Sequence, residues 1–97
     1  MTTYIVLGEW TEQGVRAIAD SPKRLDAART AIEEMGGSLA SFHMTMGDCD
    51  FVMQIEAPDD AVAARFALLL GRMGNVRTRT LKAFPEQAYR RIVASVS

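Results

Sequence analysis

This sequence predicts an α+β fold, with elements in the order β-α-β-β-α-β and one more helix at the C-terminus, on three observations. Ser38 to Glu56 reads as two apolar runs around the polar turn Met46-Gly47-Asp48-Cys49-Asp50, a β-hairpin or at least two adjacent strands. Apolar residues at helical spacing flank that unit on both sides. A further strand-like run stands outside each helix. A split β-α-β, or ferredoxin-like, sandwich satisfies this order: four antiparallel strands with both long helices on one face.

Tyr4-Ile5-Val6-Leu7 is β-branched and aromatic-rich and reads as the first strand. Thr11 to Ala19 is a short helical segment that Thr11 can cap. Ser21-Pro22 starts the first long helix: Ser suits the N-cap, and Pro suits a position whose N–H would be unpaired anyway. Leu25, Ala28, Ile32 and Met35 share one helical face, and Gly36-Gly37 ends the helix. In the second strand, Leu39 to Met46, alternation assigns Ala40, Phe42, Met44 and Met46 to one face and Leu39, Ser41, His43 and Thr45 to the other. The third, Asp50 to Glu56, puts Phe51, Met53 and Ile55 on one face and Asp50, Val52, Gln54 and Glu56 on the other. Pro58-Asp59-Asp60 opens the second long helix with acids where the helix dipole favours them. Val62, Phe66, Leu69 and Met73 form its stripe, and Gly74 stops it. Val76 to Phe84 is the fourth strand, and Pro85 starts a C-terminal helix with the stripe Tyr89, Ile92, Val93 and Val96.

The 97 residues make a single domain, 1–97, with 48% hydrophobic residues, enough for one core without disulfides or a metal. A net charge of −1 gives no general pull toward nucleic acid or an anionic membrane. One Cys makes no intrachain disulfide, Met1-Thr2-Thr3-Tyr4 lacks the basic and apolar regions of a secretion signal, and no apolar run approaches the ~20 residues of a membrane span. A cytoplasmic protein without a cofactor is expected. With the helices over the Phe42/Met44 and Phe51/Met53 face, a mixed face carrying Tyr4, Val6, Leu39 and Val52 stays open. Such a face needs a cover, and the simplest is a second copy of the same sheet, giving a homodimer or a higher homo-oligomer.

Five stretches carry a family resemblance: Trp10-Thr11-Glu12-Gln13-Gly14, Asp20-Ser21-Pro22-Lys23-Arg24, Gly47-Asp48-Cys49-Asp50 followed by Phe51-Val52, Glu56-Ala57-Pro58-Asp59-Asp60, and Gly74-Asn75-Val76-Arg77-Thr78. In this order, over nearly the whole chain, they resemble the GYD-domain family, small bacterial proteins of the dimeric α/β-barrel superfamily. The resemblance implies the ferredoxin-like fold and a barrel made by two sheets; it implies no reaction. The family commonly has Tyr just before the motif's Asp, where this chain has Cys49.

The candidate site residues each have two readings. His43, the only imidazole, is a base or a carbonyl-polarising group near neutral pH, or a hydrogen-bonded interface histidine. Asp48 and Asp50 bind a cation or couple their titrations, or simply hold a turn through backbone N–H groups. Cys49 is a nucleophile, though spacing assigns it no base, or a plain small turn residue, and one His with one Cys is too few for a zinc site, so no metal is expected. Arg77 and Arg79 share a face and clamp a carboxylate or phosphate, pair with acids such as Asp50 or Glu56, or simply solvate an edge. Glu9 and Trp10 end the first strand, where Trp10 anchors a ligand or packs on the following helix.

Three functions are open to such a chain. A binding module would enclose, between two mixed faces, a cavity lined by Tyr4, Ser41, His43, Thr45, Gln54, Arg77 and Arg79 for a small organic ligand. By analogy with the superfamily, a cofactor-free oxygenase or isomerase on an aromatic or quinone-like compound would use His43 as base with Asp50 or an Arg orienting it. A structural assembly would leave the mixed face dry, with the C-terminal helix on another subunit.

Overall fold

Strand β1 (Thr2–Trp10) runs through the middle of a four-stranded antiparallel sheet in the computed structural model, which describes residues 1–96. A short helix α1 (Glu12–Arg16), a 3-10 turn (Ile18–Asp20) and helix α2 (Ser21–Glu34) follow. Then come β2 (Ser38–Met44), β3 (Phe51–Ala57), α3 (Asp60–Arg72), β4 (Val76–Ala83) and α4 (Glu86–Val96). The sheet order β2-β3-β1-β4, antiparallel throughout, is the split β-α-β arrangement.

The core lies between one sheet face and the helices α2 and α3. Ile32, Ile55, Val6 and Phe66 are fully buried there, each such burial stabilising by roughly 1.5–3 kcal/mol. The α2 stripe is as expected, with Ala28 and Ile32 buried and Leu25 and Met35 packed against the core. Thr11 caps α1 by accepting from the Gly14 amide at 3.1 Å, and Asp59 caps α3 by accepting from Val62 at 3.0 Å. Pro22 stands in the first turn of α2, but the N-cap is Asp20 rather than Ser21, because the preceding 3-10 turn already brings Ser21 to helical angles.

Two face assignments change. Tyr4 pairs with Ile55 and Val6 with Met53, so both enter the helix-covered core, and Ile5 and Leu7 take the open face. Leu39 pairs with Ile55 in the core while Ala40 is exposed, because the register shifts between Leu39 and Ser41. That bulge inserts one residue and reverses the alternation before it. Strand β2 also ends at Met44, leaving Thr45 and Met46 in the connection.

Tyr4 donates its hydroxyl to Asp60 at the start of α3, and Lys82 Nζ lies 3.2 Å from the same carboxylate. Burial, reinforced by the hydrogen bond and charge of Asp60, pushes the Tyr4 phenol up to about 12. The Tyr4 bond, then Lys82, hold the Asp60 carboxyl below its usual range.

The stripe of α4 is uncovered: Tyr89, Ile92, Val93 and Val96 are all exposed, and no α4 residue is buried. The chain measures 51 × 31 × 18 Å.

A Cβ on Gly14 would meet the Asn75 carbonyl oxygen at 2.1 Å, and that backbone cannot swing away as a side chain could. Gly14→Ala is expected to lower the urea-unfolding free energy by about 1–3 kcal/mol, as overpacking does. Tyr4 has a folded pKa above its ordinary value of 10.0, so its contribution is complete below pH 10 and lost as pH rises toward about 12. Urea titrations across that window should show the fall, and Tyr4→Phe should remove this component of it.

Candidate functional site

Strand register arranges the open sheet face as a grid. One row reads His43, Val52, Leu7, Arg79 across β2, β3, β1 and β4, and the next reads Ser41, Gln54, Ile5, Leu81. A third holds Ser38, Glu56, Thr3 and Ala83, and Glu9 faces Arg77 beyond the first row. Val52, Leu7, Ile5 and Leu81 therefore make an apolar diagonal over three strands. Ser41, His43, Gln54, Arg77 and Arg79 surround it, so five of the seven expected ligand-lining residues do share one face.

Tyr4 and Thr45 do not join them. Tyr4 is in the core for the pairing reason given above. Thr45 lies in the β2–β3 connection, its amide bonded to the Asp50 carbonyl at 2.8 Å and its hydroxyl to the Cys49 carbonyl at 2.7 Å. Within the grid, Thr3 Oγ1 donates to Glu56 at 2.8 Å and Gln54 Nε2 donates to it at 3.0 Å, so Glu56 is engaged by its neighbours. Among the described residues, the side chains of His43, Arg77 and Arg79 have no hydrogen-bond or ion-pair partner, so the arginines pair with neither Asp50 nor Glu56.

Asp50 serves the backbone. Its amide donates to the Gly8 carbonyl at 2.8 Å, and its carboxylate accepts from the Trp10 amide at 3.0 Å. The carboxylate thus continues the ladder along β1 past the last paired residue of β3, and does not orient His43. Cys49 is half-buried and 3.6 Å from Thr45 Oγ1, while Asp48 is exposed. Among the described residues, no three His, Cys, Asp or Glu come together where a metal could sit, and no helix is long and apolar enough to cross a membrane.

On the far side of β1, the stretch Trp10 to Gly14 is tied to the loop before β4. The Thr11 amide donates to the Asn75 carbonyl at 3.1 Å, the Thr11 hydroxyl to the Gly74 carbonyl at 2.6 Å, and Gln13 to the Asn75 side chain at 3.0 Å.

The sequence reading missed a cavity. A slot of about 240 Å³ lies between α2, α3 and the sheet, on the opposite side from the grid. Its floor is Trp10, Phe42, Phe51 and Met53, with the Phe51 ring 5.4 Å from Phe42 and 5.9 Å from Trp10. Leu25, Ala28 and Ala31 of α2 face Leu69, Leu70 and Met73 of α3 across it. The signal in the sequence was the set of small side chains Ala27, Ala28 and Ala31, which leave a gap where larger residues would close the layer.

A family model, the GYD domain, matches residues 4–93. A Thermus thermophilus protein named "Glutamine synthetase and cystathionine beta-lyase binding protein" is 35% identical over 86 residues, covering 88% of this chain and 90% of that relative. TTHA0845 of the same organism has a solved structure that matches with a TM-score of 0.56 at 24% identity, over 88% of this chain and 95% of that one. The leucine response regulatory protein LrpA of Mycobacterium tuberculosis matches with a TM-score of 0.57 at 17% identity, over 87% of this chain and 51% of LrpA. Both structures share the fold.

The Asp50 contact generates a prediction. Asp50→Ala leaves the Trp10 amide without its charged acceptor, so unfolding free energy should drop by about 1.5–3 kcal/mol. His43→Ala should leave it within about 0.5 kcal/mol of wild type, as expected for an exposed side chain without partners.

Proposed function

This chain belongs to the GYD-domain family, and on that premise we propose that it is a self-associating module that binds other proteins. The observation that carries the reading is the apolar diagonal Val52, Leu7, Ile5 and Leu81 on the sheet face opposite the core, where α2 and α3 do not lie. A second copy of the same face covers it with matching chemistry, and two-fold pairing closes the assembly. Four strands about 4.8 Å apart and some seven residues long offer roughly 450 Å². A stable interface needs about 800 Å² per partner. The exposed stripe of α4, leading directly from β4, supplies further area to the same interface.

Paired sheets would bring Ser41, His43, Gln54, Arg77 and Arg79 to the interface, and any small organic ligand held between the sheets would meet these groups. The relative named for binding glutamine synthetase and cystathionine β-lyase supports protein partners and makes those two enzymes the first to test. A cofactor-free oxygenase or isomerase would need an acid to orient His43. Asp50 is engaged by the Trp10 amide instead, so the geometry favours the module.

Sedimentation velocity tests the self-association. Wild type at tens of micromolar should be a dimer or larger, and Leu7→Glu should be monomeric with an unchanged circular-dichroism spectrum. A monomeric wild type, or a Leu7→Glu variant that assembles equally, would sink the proposal. Surface plasmon resonance against the two immobilised enzymes then tests the partner class.

A further inference from the structure

The slot between α2, α3 and the sheet lies outside the proposed interface, because it opens on the helix side. The slot is partly open to solvent, and its volume of about 240 Å³ is many times that of a water molecule. For scale, an apolar cavity of roughly 150 Å³ accommodates benzene. The volume here suits a molecule of one or two rings.

The lining decides the chemistry. The floor is aromatic, with Trp10 and Phe42 on either side of Phe51. The one charged group in the lining, Arg24, donates to the Ala17 carbonyl at 2.9 Å and to the Gly14 carbonyl at 3.4 Å. Besides Arg24, only Ser21, Asn75 and the Trp10 indole bring polar side-chain atoms to a lining that is otherwise apolar. A cation placed there would meet no carboxylate in the lining, and an anion would meet Arg24 only through a guanidinium already shared between two backbone carbonyls.

We infer that this slot is a binding site for a small, uncharged aromatic molecule, seated on the Trp10–Phe51–Phe42 floor between α2 and α3. Ring stacking and apolar burial hold it, and the two helices form its walls.

Trp10 is the only tryptophan of the chain and lines the slot, so it reports occupancy directly. Bromobenzene, a neutral one-ring heavy-atom quencher, should quench Trp10 fluorescence saturably with a Kd on the order of 0.1 mM, as its seven non-hydrogen atoms allow. Toluene should compete and restore the signal. The charged analogue 4-bromobenzenesulfonate should quench only in proportion to its concentration.

Ala31→Leu fills the slot and should weaken bromobenzene binding at least tenfold. Ala27→Leu, at an exposed position of the lining, should also weaken it and keeps the test valid if the first variant does not fold. Three results would overturn the inference. One is linear quenching by bromobenzene in wild type. Another is equal saturable binding in a folded slot-filling variant. The third is saturable binding that disappears as protein concentration rises, which would give the slot to a second copy of the chain.

Discussion

The end of β1 is held from both sides, and the other features of the molecule are built around that fixed point. On the β3 side, Asp50 accepts from the Trp10 amide and donates its own amide to Gly8. On the β4 side, Thr11 and Gln13 bind the backbone and side chain of the Gly74-Asn75 loop. Gly8 completes the arrangement: a Cβ there would fall 1.9 Å from the Phe51 ring, so the absence of a side chain lets that ring lie across β1. Three separate sequence motifs thus meet at one place, which explains physically why they occur together in the chain. Asp50 works here as part of the backbone ladder. Its carboxylate accepts from the Trp10 amide, and a neutral side chain of the same length would accept that bond less strongly.

That anchoring gives the sheet two different faces. Trp10 is brought over Phe51 and becomes floor for the slot, while Leu7 and Glu9, one residue to either side of Gly8, are directed to the open face. The helix side is apolar and concave, and the strand side is a flat grid with an apolar diagonal and polar margins. A flat, mixed surface suits a second protein surface. A concave apolar slot suits a small molecule. One sheet can therefore carry an assembly surface and a ligand site without either obstructing the other.

Helix α4 follows the same logic. Its apolar residues have the spacing of a packed helix, but they are exposed in the single chain. The helix follows β4, an edge strand of the sheet, after only Phe84 and Pro85.

The sequence by itself determined the order and kind of the elements and the buried face of α2, because those follow from local periodicity and capping chemistry. It also brought Ser41, His43, Gln54, Arg77 and Arg79 to one face, since each stands at an alternating position of a strand with clear phase. Tertiary structure alone decided the rest. Tyr4-Ile5-Val6-Leu7 is apolar at every position, so alternation has no phase there, and only pairing of Tyr4 with Ile55 sends Tyr4 inward. The bulge beside Ala40 is a property of two strands together and moves Leu39 to the core. Asp50 reads as a turn or site acid until Trp10, forty residues earlier, presents its amide. The slot exists only because α2 meets α3 through alanines over an aromatic floor, and a gap between elements is visible only once they are packed.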